Sequence, residues 1–277
     1  MNIDLNYRKV VLQLSYLNVV KISGRDAVSF LNDQFTNDIT ALEPNRWQFN
    51  GYCSSKGRLI AIMRLFLSDD CVYIILPKSL SEKMIKRLQV YVFRAKVKFE
   101  NLADHSVYCL MDAEAIKTTG EIQTQEFTLD DNGFMVNISI QSERYLAILK
   151  STDVLEGLKL ISHEESQQLW RLSEIKEIVP NIDVQTSELF IPQHVNLDKL
   201  NGISFNKGCF PGQEVVARLH YLGKAKQAMR HLQIDSGIPI APGQTLDHSD
   251  YKKALKIVDA VHTHDQTFEC LAVGQFD

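Results

Sequence analysis

A chain of 277 residues, 45% apolar and 23% charged, is long enough for two or three modest domains and has the composition of a packed protein, which excludes disordered and fibrous classes. Its formal net charge of −4 and pI near 6.1 give no bulk attraction to nucleic acid or anionic membrane, so any basic surface must be local. No apolar run approaches the roughly 20 residues of a spanning helix, and Met1 to Asn6 lack the charged-then-apolar pattern of a leader, which predicts a cytoplasmic protein without membrane attachment.

From the N-terminus, Lys9 to Leu14 and Leu17 to Ile22 read as strands rich in Val, Leu and Ile. Ser23-Gly24 then opens a helix whose apolar stripe is Ala27, Phe30 and Leu31. Period-2 alternation in Trp47 to Cys53 predicts a half-buried strand, and Ser54-Ser55-Lys56-Gly57-Arg58 a polar turn into a strand over 59–67. Two cations, a glycine and small hydroxyls suit that turn to gripping an anion, although a solvated hairpin has the same composition. A strand over 71–76 and a helix from Ser79 to about Tyr91 follow, the helix with Leu80, Met84, Ile85 and Leu88 on its inner face. Strands are predicted at 96–99, 106–110, 134–140 and 145–149, with 114–128 polar and unassigned. Strands joined by single helices imply an α+β class built on antiparallel sheet.

Ser162-His163-Glu164-Glu165 has capping-box spacing ahead of a helix with Leu169, Leu172 and Ile175 inward, leaving Glu174, Lys176 and Glu177 on its solvent face. A long polar segment, Phe190 to Leu197 and Leu200 to Asn206, leads to Lys207-Gly208-Cys209-Phe210-Pro211-Gly212-Gln213-Glu214 and then Val215, Val216, Ala217 and Arg218. This reads as a loop feeding a helix, with Pro211 at the first helical position and Cys209 just outside the helix N-terminus beside Lys207. Such surroundings favour a thiolate, whereas a buried Cys would merely pack. Glu214 and Arg218 are four apart, a spacing that allows an ion pair worth about 0.3–0.5 kcal/mol. A partner for Arg218 outside the helix is the expectation. After Ala228 the chain alternates in short strands to its end. Cysteines at 53, 71, 109, 209 and 270 form no C-x-x-C pair and are expected to be reduced, with 71, 109 and 270 in apolar runs. His262 and His264 share a strand face, but with no further ligands nearby no metal is expected.

Phe190 to Leu197 fits F-x-P-Q-x-x-N-L, and 202–218 fits G-I-S-F-x-K-G-C-[YF]-x-G-Q-E-x-V-A-R almost intact. In these motifs the chain resembles the YgfZ family of folate-binding proteins, relatives of the aminomethyltransferase (T-protein) of the glycine cleavage system. Other stretches agree: Gln34, Thr36 and Asp38 after the first helix, with Asn32-Asp33 replacing a usual Gln-Gly; Cys53, Lys56, Gly57 and Arg58 as C-x-x-K-G-[RK]; and Tyr221 to Lys226 as F-R-G-x-x-K. Ile178-Val179-Pro180 replaces the glycine of G-[IV]-P, a stretch that lies near the pterin in relatives. The resemblance implies a T-protein-like fold. In it, a folate-binding region over 1–226, formed by the N-terminal part and about 141–226, encloses a middle sub-domain over about 52–140, and a small β-barrel-like domain covers 227–277.

The resemblance further implies tetrahydrofolate or a derivative as cofactor. Its contacts would be Lys207, Gly208, Gln213, Glu214, Arg218, Lys56, Gly57, Arg58, Cys53 and Lys226, with Cys209 as a reactive thiol. It implies a monomer supporting iron-sulfur enzymes, including those of tRNA modification, without stable nucleic-acid binding; an RNA-contacting protein is a third reading. The alternative is a folate-dependent one-carbon, aminomethyl-type transferase. That chemistry needs a charged acidic side chain beside the reacting carbon. In the T-protein the glycine here is followed by a pair of acidic residues, whereas this chain reads Leu59-Ile60-Ala61-Ile62. The motif around Cys209 is expected to face a cavity shared with the 53–58 turn.

Overall fold

The structure, a computed structural model, describes residues 10–44, 46–68, 71–111, 128–130, 132–138, 140, 144–156, 158–223, 226–247 and 253–276. Its centre is a five-stranded antiparallel sheet of Leu17–Ser23 (β2), Trp47–Cys53 (β3), Leu59–Ser68 (β4), Cys71–Pro77 (β5) and Lys98–Asn101 (β6), in the order β3-β4-β5-β2-β6. Alternate residues of β2 and β5 serve two cores. Val20, Ile22, Val72 and Ile74 pack with the helices Ala27–Asn32 (α1) and Lys78–Gln89 (α2), while Val19, Tyr73 and Ile75 face a second sheet. A strand covered on both faces carries an unbroken apolar run, which is how β5 reads, whereas β2 is interrupted by the half-buried Asn18 and Lys21.

The second sheet contains Val10–Gln13 (β1), Ser106–Met111 (β7), Thr128–Asp130 (β8), Gly133–Asn137 (β9), Arg144–Leu149 (β10) and Lys159–Leu160 (β11), in the order β11-β1-β7-β10-β9-β8. Among the described residues, only the β1–β11 pair is parallel. Segment 52–140 thus supplies strands to both sheets. The helix His163–Lys176 (α3) lies on β1 and reaches the C-terminal sheet, where Ala228–Asp235 (β12), Thr245–Leu246 (β13), Leu255–His264 (β14) and Thr267–Gly274 (β15) run in the order β12-β15-β14-β13 and curl into a half-barrel. The mixed, largely antiparallel architecture is α+β as read from the sequence.

Three local expectations are corrected. β3 is not half-buried: every residue from Phe49 to Cys53 is buried, because its far face lies under Leu59, Leu197 and Thr36. Ser162 is the N-cap of α3, but its side chain makes no capping hydrogen bond. Glu174 and Glu177 are not solvent-facing. Both are buried, Glu174 accepting from Arg64 at 2.6 Å and from Arg144 at 2.7 Å, and Glu177 accepting from Arg144. Trp170 lies under both guanidinium groups, 5.3 Å from Arg64 and 5.4 Å from Arg144. The four charges balance, as buried charges must. The lone arginine inside the apolar run Leu59 to Leu67 was the available signal. The unassigned 114–128 stretch lies outside the described residues except Thr128.

Candidate functional site

The helix after the motif, Gln213–Leu222 (α4), begins later than predicted. Pro211 is not its first residue. Gly212 is its N-cap with φ of 80°, a left-handed conformation that glycine adopts at little cost, and the Gln213 amide donates to the Phe210 carbonyl at 3.1 Å. Cys209 is therefore separated from the helix by Phe210, Pro211 and Gly212, and the helix-end argument for its thiolate does not apply. Exposure distinguishes it instead: Cys209 is exposed, Cys71 partly so, and Cys53, Cys109 and Cys270 are buried.

Lys207 is not poised beside that thiol. Its ammonium donates to the carbonyls of Asn32, Phe35 at 2.6 Å and Asn37 at 3.1 Å, tying the motif loop to the end of α1. Burial pushes its pKa down to about 8, against the opposing pull of Asp38 and Asp33. Thr36, one of the matching polar residues near α1, is a second tie: its hydroxyl donates to the Gly202 carbonyl at 2.6 Å and accepts from the Gly51 amide at 2.7 Å. Gln193 is a third, donating to the Val216 carbonyl at 2.6 Å and so fixing α4 against the preceding 3-10 turn Pro192–Val195.

The 53–58 turn and the motif do meet. A Cβ on Gly57 would lie 2.8 Å from Val215 Cβ, and one on Gly212 would lie 2.6 Å from Gly57 Cα, so only paired glycines allow this approach. Lys56 and Arg58 are exposed, and Arg58 donates to the Leu189 carbonyl at 2.6 Å. The neighbouring His194 is held neutral: burial, and then the charge of Arg58, push its pKa down to about 4. Cys53 points away from all of this into the core, where burial pushes its thiol up to about 12. It is thus removed from the set that could touch a ligand. Lys226 is exposed beyond α4, and Gly208 has open space where a Cβ would sit.

Beside this junction lies a cavity of about 440 Å³ lined by Ile191, Glu214, Val215, Arg218, Leu219 and Gly223. Neither Lys56 nor Cys209 is in its wall, so the cavity predicted to join them is built from the helix instead. Among the described residues Glu214 and Arg218 make no ion pair with each other or with anything else, and the expected protein partner for Arg218 is not found. An apolar wall carrying one free acceptor and one free donor suits a flat, amphipathic ring. A carboxylate can accept from the N–H groups of an aminopyrimidinone edge while a guanidinium donates to its carbonyl or to a carboxylate. The chemistry of this set fits a folate.

A second cavity of about 670 Å³, not foreseen from the sequence, lies between the end of α3, the loop after the 3-10 turn and β12. Leu59, Ile60, Ala61 and Ile62 are all buried aliphatics. Among the described residues no group of three or more His, Cys, Asp and Glu could hold a metal, and His262 donates through Nε2 to the Asp265 carbonyl of its own turn at 2.8 Å. No helix among them is long and apolar enough to cross a membrane.

No protein-family model matches the chain. It is 34% identical over 239 residues to the tRNA-modifying protein YgfZ of Vibrio vulnificus (strain CMCP6), covering 84% of this chain and 72% of that protein. It is 29% identical over 267 residues to the tRNA-modifying protein YgfZ of Yersinia pestis (strain Pestoides F), covering 92% and 81%. Its fold is like that of the glycine cleavage system aminomethyltransferase T from Bartonella henselae, with a TM-score of 0.74 at 11% identity, over 96% of this chain and 78% of that one.

Proposed function

The chain belongs to the YgfZ family of tRNA-modifying proteins, and from that premise we propose that it is a cytoplasmic, folate-binding accessory protein supporting iron-sulfur enzymes, including those that modify tRNA. The observation that carries the folate reading is the unpaired Glu214 and Arg218 on the apolar wall of the α4 cavity. Both belong to the Q-E-x-V-A-R part of the motif, and side chains left without protein partners beside a cavity of ligand size are available for recognition. Glu214 would accept from the ring edge of tetrahydrofolate or a derivative, and Arg218 would pair with a carbonyl or carboxylate. Ile191, Val215 and Leu219 would exclude water from the ring faces. Bound there, a reduced folate would offer its nitrogen as a one-carbon acceptor.

Cys209, exposed in the adjoining loop, is the thiol that a client protein or a small electrophile can reach. An aminomethyl-type transferase is disfavoured by the buried aliphatic stretch 59–62, which offers no carboxylate to a reacting carbon. The test is genetic. A strain lacking the protein should lose activity of iron-sulfur enzymes, tRNA thiolation included, and should regain it with the wild-type chain but not with Arg218→Glu. Full recovery with that variant, expressed at equal level, would overturn the reading.

A further inference from the structure

The cavity of about 670 Å³ shares none of its wall with the α4 pocket. Its charges are of one sign in effect. Lys199 and Arg230 line it without an ion-pair partner among the described residues, and the carboxylate it contains, Glu177, is already neutralised by Arg144. His231 adds a third nitrogen group, held by the buried Glu269, which is itself fixed by the Gln233 amide at 2.8 Å. In a chain of net charge −4, such a concentration of cations in one hollow selects anions.

A second observation is independent of charge. Asn196 lines the cavity at 6% exposure, and its Nδ2 donates to the Met229 carbonyl at 2.9 Å, but its Oδ1 is buried with no donor. A buried acceptor without a donor is costly, and a shift of the side chain toward the cavity would let a ligand N–H or O–H satisfy it. Asn196 and Ile178, both on this wall, also have left-handed backbones, with φ of 58° and 59°. For a β-branched residue this is strain of the kind that collects at ligand sites. Ile178, Leu200 and Met229 supply apolar surface between the cations and Asn196.

We propose that this cavity binds a nucleoside phosphate, free or at the end of an RNA strand. The ring lies on Ile178, Leu200 and Met229 and donates a hydrogen bond to Asn196 Oδ1, while the phosphate is gripped by Lys199 and Arg230 with His231 beside it. Two cations and a histidine match a group carrying two negative charges better than a single carboxylate. The assignment stands whether or not folate occupies the α4 pocket.

Calorimetric titration of the full chain with AMP, GMP, adenosine, a short single-stranded RNA bearing a 5′-phosphate, and 5-formyltetrahydrofolate tests it. Both lysine and arginine are exposed, so Lys199→Glu and Arg230→Glu should keep the wild-type melting temperature. A mononucleotide should bind, adenosine should bind at least about tenfold more weakly, and each variant should lose about tenfold or more in nucleotide affinity while 5-formyltetrahydrofolate binding is unchanged. Binding of the RNA alone, lost in the same variants, would identify a strand end as the source. No nucleotide or RNA binding at millimolar concentration, or equal binding by wild type and both variants, would overturn the proposal. So would loss of 5-formyltetrahydrofolate binding in these variants without any nucleotide binding, which would place the folate here.

Discussion

Cys209 is exposed, while Cys53, Cys109 and Cys270 lie inside apolar clusters where burial pushes each thiol up to about 12. The nucleophile in alkylation is the thiolate, so burial protects the three interior thiols both by closing access and by disfavouring their ionised form. Alkylation of the folded protein at pH 8, followed by peptide mapping, should label Cys209 first and leave Cys53, Cys109 and Cys270 unmodified until the chain unfolds. Labelling of Cys53 at the rate of Cys209 would contradict the structure. The motif spacing exposed Cys209 as special for a reason that the structure replaces. Glycine and proline in a row told of a tight path into a helix, but not which of them would stand at its start, because Pro211 and Gly212 are both common there. Only the left-handed turn at Gly212, required by the approach of Gly57, decides it.

At the scale of elements, Ile178 ends α3 in a left-handed conformation, with φ of 59°. It stands where the G-[IV]-P pattern has glycine, in a conformation that glycine adopts more readily. An L-residue there costs roughly 1–2 kcal/mol, more for a β-branched side chain, and glycine avoids most of it. Ile178 is partly exposed, so little apolar burial is lost on its removal. Ile178→Gly should therefore raise the urea midpoint by an amount equivalent to about 0.5–1 kcal/mol with the slope unchanged. A lowered midpoint would mean that the isoleucine's packing outweighs its backbone strain. Strands and helices with period-2 or helical apolar spacing were legible in the sequence to within a residue or two, as in β1, β2, β4, β5 and α1. Burial on both faces of β3, and of Glu174 and Glu177 on α3, was not. Those depend on which element covers a surface, and the partners, Arg64 and Arg144, are far away in the chain.

Over the whole molecule, α3 joins the second sheet to the C-terminal sheet, and a buried ion pair fastens that joint. Arg171 donates through Nε to Asp259 Oδ1 at 3.0 Å and through its second amino group to the same oxygen and to the Ala260 carbonyl at 2.9 Å. Burial raises the Asp259 pKa and the arginine opposes that, so removal of Arg171 leaves a buried carboxylate without its cation. Arg171→Met should cost about 3–5 kcal/mol in chemical denaturation, and adding Asp259→Leu should recover much of it. A loss below about 1 kcal/mol for the single variant would show that the joint does not depend on this pair. Sequence reading reached the fold class and the C-terminal strands, because each rests on a local pattern, and a contiguous motif singled out Glu214 and Arg218, which line the α4 cavity. It missed the cavity at Asn196, Lys199 and Arg230, whose parts come from three separated segments and share no spacing. The most direct test of the central claim is calorimetric titration of tetrahydrofolate, kept reduced, into the wild-type chain and into Glu214→Gln and Arg218→Glu. Saturable binding to the wild type and a loss of about tenfold or more in each variant, with melting temperatures preserved, is the result predicted here; absence of binding to the wild type, or equal affinity in all three proteins, would contradict it.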